Sequence, residues 1–154
     1  MKLGEDMPKI ECVYWRDRVG GEIERLKTEA FRYGFAVGPY GEWQMAIAAE
    51  EKEVRRNTLT PIKIEEVDIP EKAVALPCII QRHALGIVAA LHAPGKPKKV
   101  EERRTFNEAI FHAIADGTVH EGELLGVINI FYASIERRLV RGAIERWLQE
   151  RYRY

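Results

Sequence analysis

Apolar and polar residues alternate with a period of two along much of the chain. Ile10, Cys12 and Tyr14 alternate with Glu11, Val13 and Trp15, the pattern of a short strand that Gly20-Gly21 then breaks. From Glu22 to Phe31 the apolar set Ile23, Leu26, Ala30 and Phe31 has helical spacing, with Glu22, Glu24, Arg25, Lys27 and Glu29 left to face water. That spacing predicts a short helix. Tyr33 to Val37 reads as extended, and Gly38-Pro39-Tyr40-Gly41 is a turn by its residue chemistry. Trp43, Met45, Ile47 and Ala49 then mark a strand, and the polar run Glu50 to Asn57 marks an exposed hairpin or loop. Pro61 starts a strand whose Ile62, Ile64, Val67 and Ile69 point inward, and Pro70 ends it.

Between Ala73 and Pro94 two apolar runs flank the polar triplet Gln81-Arg82-His83. The runs are long enough for buried strands, so the triplet is expected at a strand end or a tight crossing inside the molecule. Pro77 within the first run implies an edge strand or a bulge. Gly95-Lys96-Pro97-Lys98-Lys99 forms a basic loop. The period then changes. Thr105-Phe-Asn-Glu108 has the form of a capping box, Phe106, Ala109, Ile110, Ala113 and Ile114 recur at helical spacing, and Asp116-Gly117 supplies a stop. A helix over 106–115 is predicted. Glycines at 117, 122 and 126 punctuate the strands that follow, which suits a barrel; this ending is similar to that of several small β-barrel and β-clip domains. Ser134 can cap a final helix over 134–152, with the stripe Ile135, Leu139, Val140, Ala143, Ile144, Trp147, Leu148 and Tyr152. That stripe must be buried on the sheet or on another copy of the chain.

The pattern as a whole predicts one α+β domain over 1–154: an N-terminal segment (1–38), a β-rich core (40–133) and a terminal helix (134–152). The core is expected to be a mostly antiparallel barrel or sandwich of roughly six to eight strands.

Composition adds limits rather than a function. At 46% hydrophobic and 31% charged the chain is ordinary globular protein. Lys+Arg and Asp+Glu number 24 each, so no global field favours nucleic acid or a membrane. Cys12 and Cys78 have neither metal-ligand spacing nor a disulfide framework, and are expected to be reduced, buried thiols. The longest apolar run, Ala84 to Leu91, is too short to span a bilayer, and the charged N-terminus lacks a signal-peptide core. A cytoplasmic protein is expected. The many Glu, Lys and Arg residues fit a thermophile.

Candidate chemistry centres on Arg82-His83. A guanidinium holds carboxylate or phosphate in a bidentate grip, and an imidazole serves as acid, base or ligand near neutral pH. The structural alternative is an Arg–carboxylate pair and a histidine donating to a backbone carbonyl. His83, His92, His112 and His120 show no pair spaced for one helical face, and Glu108 with His112 would be a surface pair on the predicted helix. No metal site and no cofactor are therefore predicted. Phosphate-cradling glycine loops and a nucleophile elbow are absent, and Ser134 is the only serine. Classical hydrolase machinery is missing. Arg137, Arg138 and Arg141 of the terminal helix, with the Lys96–Lys99 loop, offer a local basic footprint for RNA or else a solvated helix face.

The run Trp43…Ala48-Ala49-Glu50-Glu51, then Ile62 to Pro70, Ala75-Leu-Pro77 and Arg82-His83-Ala84-Leu85-Gly86, resembles an archaeal family known only as domain of unknown function 22. The stretch from Asp116-Gly117 to Leu125-Gly126 is similar too, for a resemblance over roughly residues 40–133. It implies an archaeal source and no established activity.

The leading expectation is a non-catalytic module that binds a small anionic ligand or a protein and forms homo-oligomers, with Arg82, His83, Gln81 and Trp43 lining its site. One alternative is an enzyme with His83 as acid–base and Arg82 as substrate anchor. The other is an RNA-associated protein working through the terminal arginines.

Overall fold

The computed structural model describes residues 9–18, 20–29, 33–36, 41–93, 95, 98, 102–132 and 146. Eleven strands follow in chain order: β1 (Lys9–Trp15), β2 (Ile23–Glu29), β3 (Tyr33–Ala36), β4 (Gly41–Ile47), β5 (Lys52–Val54), β6 (Leu59–Ile69), β7 (Ala73–Pro77), β8 (Gly86–His92), β9 (Arg104–Ala113), β10 (Gly117–Val119) and β11 (Leu124–Tyr132). Every ladder between them is antiparallel. They form a four-stranded sheet in the order β3-β4-β11-β7, a three-stranded sheet β6-β9-β8, and two ribbons, β1-β2 and β5-β10.

The described residues are thus a mostly antiparallel β structure, not the α+β one expected, and the sheets do not close into a barrel. The predicted terminal helix over 134–152 lies outside the described residues except for Arg146, which is helical.

Two predicted helices are strands. Residues 106–115 fall largely in β9, between β6 and β8, where Ala109, Phe111 and Ala113 alternate into the core. Ala109 and Ala113 satisfy either period, while Phe111 takes the third inward place and Phe106, Ile110 and Ile114 are only partly buried; pairing on both edges decides for the sheet, with aromatic and β-branched side chains favouring it. The supposed capping box does other work: Thr105 Oγ1 donates to Asp68 (3.3 Å), and Glu108 pairs with His92 at 2.7 Å. The helix expected from Glu22 to Phe31 is instead β2, folded back on β1 through a turn in which Gly20 has φ +82° and Gly21 N–H donates to Arg18 O at 2.9 Å.

Other expectations hold. Ile62, Ile64, Val67 and Ile69 all point inward. Their change from even to odd positions is accommodated by an irregularity in the β6–β9 ladder between Lys63 and Val67. β7, with Pro77, is an edge strand. The two larger sheets share one hydrophobic cluster around Ile62, Ile69, Phe111, Leu125, Ile128 and Ile130. Ile10, Ile47 and Leu124 form a smaller cluster, packed by Cys12 and Met45, that seats the β1-β2 ribbon on the body.

Candidate functional site

The polar triplet sits at a crossing between the two sheets, but only His83 lies inside the molecule while Gln81 and Arg82 are exposed, and the local sequence explains its shape. After β7, Cys78 N–H still reaches Val127 O at 2.8 Å. Ile79 and Ile80 then leave the sheet, and Gln81 clamps the turn by donating through Nε2 to His83 O (2.8 Å) and Ala84 O (3.3 Å). Ala84 N–H donates to Val13 O on β1 at 2.7 Å, and Leu85 O accepts from Ile114 N–H at 2.8 Å. Gly86 is obligatory at the start of β8. A side chain there would collide with His112 O and come within 2.7 Å of the Phe111 ring.

His83 is 1% exposed and Glu123 is 0% exposed. His83 Nε2 lies 2.7 Å from Glu123 Oε2, and Nδ1 accepts from Leu85 N–H at 3.1 Å. An imidazole that accepts at Nδ1 carries its proton on Nε2, so His83 donates to the carboxylate as a neutral ring. Its ring stands edge-on to Phe111, with centroids 5.7 Å apart. Arg25 Nη1 donates to the other oxygen, Glu123 Oε1, and lies 3.4 Å from Glu11 Oε2. Burial pushes the Glu123 carboxyl up, but the hydrogen bonds from His83 and Arg25 and a backbone one from His120 outweigh it and hold the group below its usual range. A buried carboxylate is thereby satisfied by one cation and one neutral donor. His83 presents neither ring nitrogen to solvent.

Arg82 points the other way. It is exposed and lines an open cleft of about 380 Å³ with Val13, Tyr14, Trp15, Asp17, Arg18, Gln81, His83 and Ala84. Among the described residues neither Arg82 nor Arg18 has a hydrogen-bond or ion-pair partner for its guanidinium, and Asp17 pairs with neither. Trp15 Nε1 is buried with no acceptor among the described residues. The Arg82 charge also reaches Cys12, whose thiol burial nevertheless pushes up. Cys12 and Cys78 are both free and half-buried.

Gln81, Arg82 and His83 therefore come together, while Trp43 does not join them. It lies on β4 opposite Asn129 of β11 and is absent from the cleft lining. Arg137, Arg138 and Arg141 lie outside the described residues. Among the described residues no group of three or more His, Cys, Asp and Glu could hold a metal ion, and no helix is long and apolar enough to cross a membrane.

Sequence reasoning missed Glu123 and Arg25. Helical spacing over 22–31 turns Arg25 to water, but Ile23–Glu29 is a strand. Parity counted back from the inward Ile128 and Ile130 turns Glu123 outward. A bulge between Leu124 and Gly126 shifts that phase, so Leu125 points inward and Glu123 is buried. Gly126 at the bulge is the local signal, and a side chain there would meet Val88 Cγ2 at 3.0 Å.

An uncharacterized protein of the archaeon Methanocaldococcus jannaschii is 28% identical over 113 residues, which cover 73% of this chain and 86% of that protein. No solved structure matches. The Domain of unknown function DUF22 matches residues 9–117, a span that starts with β1 and so takes in the ribbon carrying Arg25 as well as the His83 crossing. The chain belongs to the DUF22 family.

Proposed function

We propose that the protein is a non-catalytic module that binds a small anionic ligand in the cleft between the end of β1 and the 81–84 crossing. One observation carries this reading: Arg82 and Arg18, from separate segments, line the same cleft with no carboxylate partner among the described residues. Two unpaired guanidiniums facing one space leave an anion as their natural complement. Tyr14 and Trp15 add aromatic surface beside them, and the cleft volume lies within the range of small-molecule sites. Asp17 sets a net charge of one positive on the lining, which favours a ligand of low negative charge. The non-catalytic reading is supported by His83, whose two ring nitrogens are occupied by Glu123 and Leu85.

Thermal-shift titration of wild type, Arg82→Ala and Arg18→Ala with inorganic phosphate and small carboxylates tests it. A ligand at a hundred times its dissociation constant stabilises the folded state by about 2.7 kcal/mol. Wild type should shift and both variants should shift less. Equal shifts in all three would move the site elsewhere.

Self-association is the second half of the proposal, and it rests on β7. That edge strand and its continuation expose Leu76, Ile79 and Ile80, with Ile79 97% exposed. A sheet edge that is apolar and unpaired among the described residues is a template for pairing with another chain.

A further inference from the structure

The cleft has two walls, and nothing covalent joins them locally. Val13 to Arg18 come from the β1-β2 ribbon, and Gln81 to Ala84 from the crossing between the sheets. What holds the walls together is a closed ring of interactions. Arg25 is the cross-strand partner of Val13. Arg25 binds Glu123, Glu123 binds His83, and the residue after His83 donates its backbone N–H back to Val13 O at 2.7 Å. Around the ring the ribbon is tied to the body at a second point, where Glu11 N–H donates to Gly122 O at 3.0 Å, next to Glu123.

We infer that Arg25 and Glu123 are positioning residues for the anion cleft: they dock the ribbon so that Arg18, Trp15 and Arg82 face one ligand. The inference rests on the anion-binding reading, since it gives that site its supporting frame. Neither residue lines the cleft. The ribbon needs such a frame. A two-stranded hairpin is marginal alone, and β2 is exposed along nearly its whole length. Its apolar anchorage is small, the cluster around Ile10 together with the buried Val13. The carboxylate is the pivot because its two oxygens serve the two walls separately, Oε1 the ribbon through Arg25 and Oε2 the crossing through His83. Docking and ligand binding are then linked: whatever loosens the ribbon weakens the site, and a bound anion tightens the ribbon.

The test uses the full chain with Trp43→Phe and Trp147→Phe, leaving Trp15 as the sole indole, and inorganic phosphate as the probe. Arg25→Met should weaken phosphate binding by roughly 5–150-fold and shift Trp15 emission, and Arg25→Lys should restore most of both. Arg82→Ala in the same background should lose binding while leaving Trp15 emission of the free protein near wild type. Wild-type phosphate affinity in Arg25→Met overturns the inference while sparing the anion site. Absence of phosphate binding in the unsubstituted background counts against phosphate as the ligand, and the frame is then judged by amide exchange. Arg25→Met must release the Ala84 N–H while Ala113, deep in the core, stays protected. Undiminished Ala84 protection overturns the inference whatever phosphate does.

Discussion

His83 and Glu123, 40 residues apart in sequence, meet in the interior with Nε2 and Oε2 separated by 2.7 Å. Neither side chain is solvent-accessible. The pair joins the crossing before β8 to the bulged start of β11, and Arg25 extends it to the ribbon. Removing one partner of such a pair is harsher than replacing both, because the survivor is left buried with an unmet hydrogen bond.

Glu123→Leu should therefore destabilise the fold by about 1–3 kcal/mol, through the stranded His83 N–H. Arg25, more than a third exposed and within reach of Glu11, is not stranded as His83 is, so its lost contact shows in the docking of the ribbon rather than in global unfolding. Urea unfolding measures the loss. A change below about 0.5 kcal/mol, the scale of an ordinary surface substitution, would mean that the pair is not satisfied as described.

Acid should unfold the protein partly through this carboxylate. Glu123 is held below its ordinary 4.5 in the folded state, so its contribution is fully present above the unfolded value and is lost as pH falls through the folded one. Asp68, lowered by Arg103, and Glu24, lowered by Arg16 and Tyr14, act in the same direction but at the exposed surface. Stability measured from pH 6 downward should fall mainly below 4.5, and Glu123→Gln should flatten that limb. An unchanged limb in the variant would assign acid sensitivity to the surface pairs.

Gly86→Ala should cost about 1–3 kcal/mol by overpacking. The added methyl meets a backbone oxygen, His112 O, and the Phe111 ring that also braces His83. Because the backbone cannot give as a flexible side chain can, chemical denaturation should show the loss even though alanine suits a strand's dihedral angles. Gly95→Ala is a poor comparison because φ is +102° there, while Gly126→Ala, facing the movable Val88 side chain, should cost less than Gly86→Ala.

Ile79→Lys with Ile80→Lys should lower the oligomeric state without lowering monomer stability, since both side chains are exposed in the single chain. Sedimentation velocity at several concentrations decides it. A wild type that remains monomeric at high concentration removes self-association from the proposal.

The inner face of β6 was legible because Ile62, Ile64, Val67 and Ile69 carry their own parity, including the switch that an irregular ladder absorbs. β7 was legible as an edge through Pro77. β9 was not: Phe106, Ala109, Ile110, Ala113 and Ile114 fit a helix stripe, and only the neighbours β6 and β8 make the period-two reading win. The site was half legible. Two apolar runs around Gln81-Arg82-His83 announced a crossing, but not which face each side chain would take.

The sequence by itself determined where backbone must turn or come close, through Gly20, Pro70, Pro77 and Gly86, and which apolar residues must leave water. Those are local steric and solvation facts, carried by each residue wherever it sits. Tertiary structure alone decided that His83 turns inward to Glu123 while Arg82 turns outward beside Arg18. Burial of a charge depends on partners brought from distant strands, and a single bulge between Leu124 and Gly126 sets which face Glu123 takes.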